Sequence, residues 1–228
     1  DWTKIHQFMI SMVELLTIGD QHSRIGLVTF DLEGDNMFYL NRYKTRADII
    51  SHISRVKPQF SAAFNVEAAY QLVFIQFVPA NGDRQDVPNV VIFITQINMD
   101  NLINIHLSTR TVTAFGHKMF TVGIGNDLQL DTNVKSISPP QVKELNYFPD
   151  PELGFSTVMT LLNQLCSQQC GDVFDTHYCA CPSGQVMQET DLNCPITSSC
   201  ISSRLDIVFV VGFTKGPAFG LIRFLLIS

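Results

Sequence analysis

Asn89-Val-Val-Ile-Phe-Ile-Thr95 decides how the chain folds. Its apolar core is all β-branched or aromatic, which favours an extended backbone, and the lack of polar alternation predicts a strand covered on both faces. Arg24-Ile-Gly-Leu-Val-Thr-Phe30, Lys118-Met-Phe-Thr-Val-Gly-Ile124 and Asp206-Ile-Val-Phe-Val-Val211 read in the same way. Between these runs, apolar residues recur at helical spacing. In residues 2–17, Ile5, Phe8, Met9, Met12, Val13, Leu15 and Leu16 form one stripe that stops before Gly19. Residues 45–56, 66–77, 127–137 and 155–165 also read as helices, with a weaker one near 103–115, while 36–40 and 145–148 read as short strands, the latter at an edge. Strands alternating with helices predict an α/β fold, doubly wound, with a mostly parallel sheet and helices on both faces. Ligands of such sheets sit beyond the carboxyl ends of the strands, so loops 29–35, 60–65, 95–101 and 123–127 are where a site is expected.

Composition narrows the function classes. Of 228 residues, 46% are hydrophobic and 16% charged, which excludes a disordered chain. Fifteen Lys and Arg against 21 Asp and Glu leave a net charge of −6, so no nucleic acid partner is expected. The most apolar stretch, 205–227, is interrupted by Asp206, Lys215 and Arg223 and broken by Gly212, Gly216 and Pro217, so it predicts a buried strand followed by a helix and no membrane span. All six cysteines (Cys166, Cys170, Cys179, Cys181, Cys194 and Cys200) fall within 35 residues. That clustering predicts a small disulfide-rich segment made in an oxidising compartment. A zinc site is the alternative, but no paired CxxC units occur and only His177 lies close by. The chain opens on Asp1-Trp2-Thr3-Lys4 without a signal peptide, so a secreted protein would be represented here by a processed or excised piece.

No enzyme is expected. Gly123-Ile-Gly125 is followed by Leu128 where a dinucleotide fingerprint needs glycine, and G-x-S-x-G, P-loop and H-E-x-x-H patterns do not occur. No cofactor is expected either. A degenerate nucleotide-binding α/β domain is the remote alternative.

The order and wording of Arg24–Phe30, Phe38-Tyr-Leu-Asn41 with Tyr43-Lys-Thr45, Val91-Ile-Phe-Ile-Thr95 and Phe120-Thr-Val-Gly-Ile-Gly125 resemble the von Willebrand factor type A domain, a Rossmann-like fold, as found in collagen VI-like and matrilin-like matrix proteins. The resemblance covers residues 1–165. Residues 166–203 resemble part of an EGF-like module through Cys179-Ala-Cys181-Pro-Ser-Gly184 and Cys194, which implies a Cys181–Cys194 bridge and, as weaker extensions, Cys170–Cys179 and Cys166–Cys200. Residues 204–228 resemble the first strand and the start of the first helix of a second A domain, so that 1–17 and 217–228 would be the same helix in two successive repeats. The resemblance implies a secreted matrix or adhesion module that contacts other matrix proteins, collagens among them.

Many A domains hold a divalent cation at the switch point through Asp, Ser and Thr oxygens. The resemblance places those positions at Phe64, Gln96 and Gly212, none of which supplies a carboxylate, so no metal is expected. The competing expectation is a metal-dependent ligand-binding A domain with a weakened site built from Asp31, Asp35 and Asp100. Candidate protein-binding positions are Asp31, Glu33, Asp35, Phe64, Asn65, Asn98 and Asp100. In the family the opening strand lies at the middle of the sheet, yet here residue 1 stands at the first helix. The slot between 24–30 and 89–95 would then be empty unless 206–211 of the same or a neighbouring chain fills it, in a permuted or strand-swapped, self-associating arrangement.

Overall fold

The computed structural model describes residues 2–30, 34–57, 65–95, 111–123, 147–149 and 204–212. The helices expected at 127–137 and 155–165, most of the one near 103–115, all six cysteines and residues 213–228 lie outside them.

The elements run α1 (Trp2–Leu15), β1 (Arg24–Phe30), β2 (Gly34–Phe38), α2 (Arg46–Ile53), α3 (Val66–Gln76), a 3-10 turn (Pro79–Asn81), β3 (Asn89–Thr95), a helical turn at 111–114, β4 (Lys118–Gly123), β5 (Tyr147–Pro149) and β6 (Asp206–Gly212). They form a six-stranded sheet in the order β2-β1-β6-β3-β4-β5. Every pairing is parallel except that of β1 with β2. The second strand begins two residues earlier than its sequence suggested, with Gly34 already paired with Phe30. Tyr147–Pro149 likewise replaces the expected 145–148, and it does form the edge.

Strand β6 occupies the centre. Residues 206–212 pair in parallel with Arg24–Phe30 on one side and with Asn89–Thr95 on the other, without a register break. All seven are buried. Alternation along β6 divides its side chains between two cores. Ile207, Phe209 and Val211 join α1 and α2 through Ile5, Phe8, Met9, Met12, Ile49 and Ile53, whereas Val208 and Val210 join α3 through Val66, Ala69, Tyr70 and Val73. Burying these five side chains stabilises the sheet by roughly 1.5–3 kcal/mol each.

Local chemistry fixes the helix starts. Thr45 caps α2 by accepting from the Asp48 amide, and Asn65 caps α3 by accepting from the Ala68 amide at 3.1 Å. Gln76, fully buried at the end of α3, donates to Phe38 O at 3.0 Å and to Asn36 Oδ1 at 3.1 Å, which ties that helix to the edge strand.

Candidate functional site

At the carboxyl end of the sheet, Phe30, Gly212 and Thr95 are register partners across the two ladders that flank β6. This is the topological position where a doubly wound fold presents a ligand site. Alternation turns position 212 toward the α3 side, and the Phe30 ring already fills that space. A Cβ at residue 212 would lie 2.3, 2.5 and 2.9 Å from atoms of the ring. The ring is only 3% exposed; its centroid lies 5.3 Å from that of Phe93, which stacks in turn on Tyr70 at 5.8 Å. Any side chain at 212 must therefore displace a buried aromatic ring that packs against Phe93. Among the described residues, no group of three or more His, Cys, Asp and Glu is arranged to hold a metal ion.

Two candidate positions from the sequence acquire definite structural roles. Asp35, expected in a loop, is half-buried within β2 opposite Thr29, because the strand starts at Gly34. Asn65 is the cap of α3. Asp31, Glu33, Phe64, Gln96, Asn98 and Asp100 lie outside the described residues.

The opposite end of the sheet holds a charged pair. Asp206 is fully buried at the start of β6 and faces the Arg84 side chain, itself 9% exposed. Its carboxylate accepts from the Arg84 amide at 3.1 Å and from Nε at 3.1 and 3.2 Å, while Nη2 donates to Oδ1. Arg84 Nη1 also donates to Asp20 O at 3.1 Å, and Arg24 Nη1 donates to Gly82 O at 2.7 Å. Gly82 turns the loop that carries Arg84 with φ +102°, a conformation that favours glycine. Burial pushes the Asp206 carboxyl up, and the guanidinium partly offsets that rise. An Asp opening an apolar strand announces a buried partner, but nothing in the sequence singles out Arg84.

Residues 1–155 match the von Willebrand factor type A domain family. The chain belongs to it. Chicken (Gallus gallus) and human (Homo sapiens) matrilin-1 are each 22% identical to it, over 94% of this chain and 46% of theirs. Human collagen alpha-6(VI) chain is 26% identical over 63% of this chain and 6% of its own. The chain thus spans less than half the length of the matrilin-1 relatives. Among solved structures, proximal thread matrix protein 1 from the mussel byssus aligns with a TM-score of 0.60 at 20% identity, over 70% of this chain and 40% of that one. A form of that protein with a zinc-occupied MIDAS motif aligns at 0.61 and 21%, over 74% and 43%. These structural likenesses bear on the fold.

In this A domain the central strand comes from residues 206–212, after the other strands in sequence and between β1 and β3 in space. The arrangement keeps a buried parallel centre while placing glycine at the end of that strand.

Proposed function

We propose that this A domain is a secreted extracellular matrix module that contacts other matrix proteins through its surface without a metal-dependent adhesion site and without enzymatic activity. The observation that carries this reading is the Phe30 ring over Gly212. The end of the central strand is packed with an aromatic side chain in the space a coordinating carboxylate would need. A hard divalent ion requires anionic oxygen donors to offset its dehydration, and a benzyl group provides none. The Phe and Gln at positions 64 and 96 support the same conclusion. The matrix assignment draws on the matrilin and collagen relatives, and the six clustered cysteines fit an oxidising, extracellular setting.

Solid-phase binding to fibrillar collagen and to matrix extracts, with magnesium and manganese or with EDTA, tests the reading. Binding that is unchanged by EDTA is expected, together with no calorimetric site for magnesium, calcium or manganese tighter than roughly millimolar. Loss of binding in EDTA, or a micromolar site, would restore the metal-dependent alternative.

A further inference from the structure

The charge of this acidic chain is unevenly distributed. Between residues 42 and 57, Arg42, Lys44, Arg46, Arg55 and Lys57 face a single carboxylate, Asp48, for a net +4; since the whole chain carries −6, the remainder carries −10. The fold keeps this segment together on the α1–α2 layer. The two helices run antiparallel, joined at one end by Arg46 Nη2 donating to Leu16 O at 2.8 Å and at the other by Trp2 Nε1 donating to Val56 O at 2.9 Å. Two of the five cations are engaged locally, Arg46 in that bond and Lys44 with Asp20 at 2.9 Å. Arg42, Arg55 and Lys57 are exposed and, among the described residues, have no carboxylate within ion-pair distance.

Arg42 and Arg55 flank one aromatic knot. The Tyr43 hydroxyl and His52 Nδ1 are 2.8 Å apart, both rings pack edge-on against Phe38, and the Arg42 guanidinium lies 5.7 Å from the Tyr43 ring centroid. The knot gives Arg42 and Arg55 a common frame, and Lys57 follows two residues after Arg55. Their field is felt at His52, where burial, then Arg55 and Arg42, hold the imidazole below its ordinary range and no carboxylate opposes them. The exposed large apolar side chains among the described residues are Ile75, Val78 and Phe115, none of which belongs to this segment. The face therefore presents spaced cations without the apolar anchors on which protein interfaces depend.

We propose that Arg42, Arg55 and Lys57 form a binding face for a sulfated polysaccharide. A chain of regularly spaced sulfates gains affinity from releasing its counterions to a row of guanidinium and ammonium groups and needs no hydrophobic contact. Repulsion by the acidic remainder confines the polyanion to this face.

The test is retention on immobilised heparin in EDTA, which removes metal-dependent adhesion from the readout and leaves the metal question separate. The native chain is expected to bind at physiological ionic strength and to elute on raising salt. The triple variant Arg42→Gln, Arg55→Gln, Lys57→Gln should elute below roughly 0.15 M salt, with affinity lowered roughly tenfold or more. Arg204→Gln, which removes an exposed cation elsewhere, should leave elution nearly unchanged, and Arg42→Lys with Arg55→Lys should retain binding. Equal elution of the native chain and the triple variant would overturn the proposal. So would a native chain that fails to bind, or one that binds polyglutamate as tightly as heparin, since the latter points to an acidic protein partner.

Discussion

Asp206 and Arg84 are 122 residues apart in sequence and form a buried, multiply hydrogen-bonded ion pair where the central strand enters the sheet. The pair fixes the register of β6: the Asp206 amide donates to Pro88 O at 3.1 Å, and Leu205 O accepts from the Arg24 amide at 2.8 Å. A slip by one residue would withdraw the carboxylate from Arg84 and exchange the two apolar faces of the strand.

Removing one partner should cost more than removing both. Arg84→Met leaves a buried carboxylate uncompensated, and a loss of about 3–5 kcal/mol in urea unfolding is expected. Combining it with Asp206→Leu should recover part of that loss, since two apolar side chains leave no charge to desolvate. A double variant less stable than Arg84→Met would show that the ion pair does not account for the effect.

The second expectation concerns Gly212. Gly212→Asp should destabilise the fold by about 1–3 kcal/mol, because its Cβ enters the Phe30 ring. Phe30→Ala alone opens a cavity and costs about 3–5 kcal/mol. In combination the two should cost clearly less than their sum, as the aspartate then occupies the vacated space. Additive losses in chemical denaturation would mean that the ring does not exclude the side chain.

Stability should rise with pH through the histidine range. Burial lowers the basicity of His6, His52 and His117 in the fold, so below the ordinary value of 6.5 the unfolded chain binds more protons than the native one. Their contribution is complete above pH 6.5 and is lost as pH falls toward the folded values. His117, whose ring lies 4.6 Å from that of Phe77, should carry part of the slope, so His117→Phe should flatten the melting temperature between pH 5 and 6.5. An unchanged slope would remove His117 from the account.

The cysteines supply a covalent test. Mass spectrometry of unreduced peptides should find all six oxidised, with Cys181 joined to Cys194. A bridge closing about a dozen residues contributes on the order of 3 kcal/mol in the loop-entropy model. Free thiols or bound zinc would argue against an extracellular setting.

Much of the architecture was legible because it rests on periodicity. Asn89–Thr95 and Arg24–Phe30 are strands with the expected bounds, since unbroken β-branched runs have little alternative once helices cover both faces. The described helices α1, α2 and α3 were legible in position but ran long: α1 ends at Leu15 and not at 17, and α2 at Ile53 and not at 56, because apolar periodicity continues into turns that pack on the same core. The charged and aromatic details were not legible. Which cation meets Asp206, and which ring covers Gly212, depends on contacts across the sheet that one-dimensional spacing does not encode. Asn65 shows the same limit from the other direction, since one loop asparagine reads equally as a helix cap or as a binding residue until its partner amide is seen.

Amide hydrogen exchange tests the central claim most directly. If Asp206–Gly212 forms the middle of the sheet, amides 207–211 should exchange as slowly as those of Arg24–Phe30 and Asn89–Thr95, opening only with global unfolding. Amides 207–211 exchanging at the rate of an unstructured segment, while the flanking strands remain protected, would contradict the account.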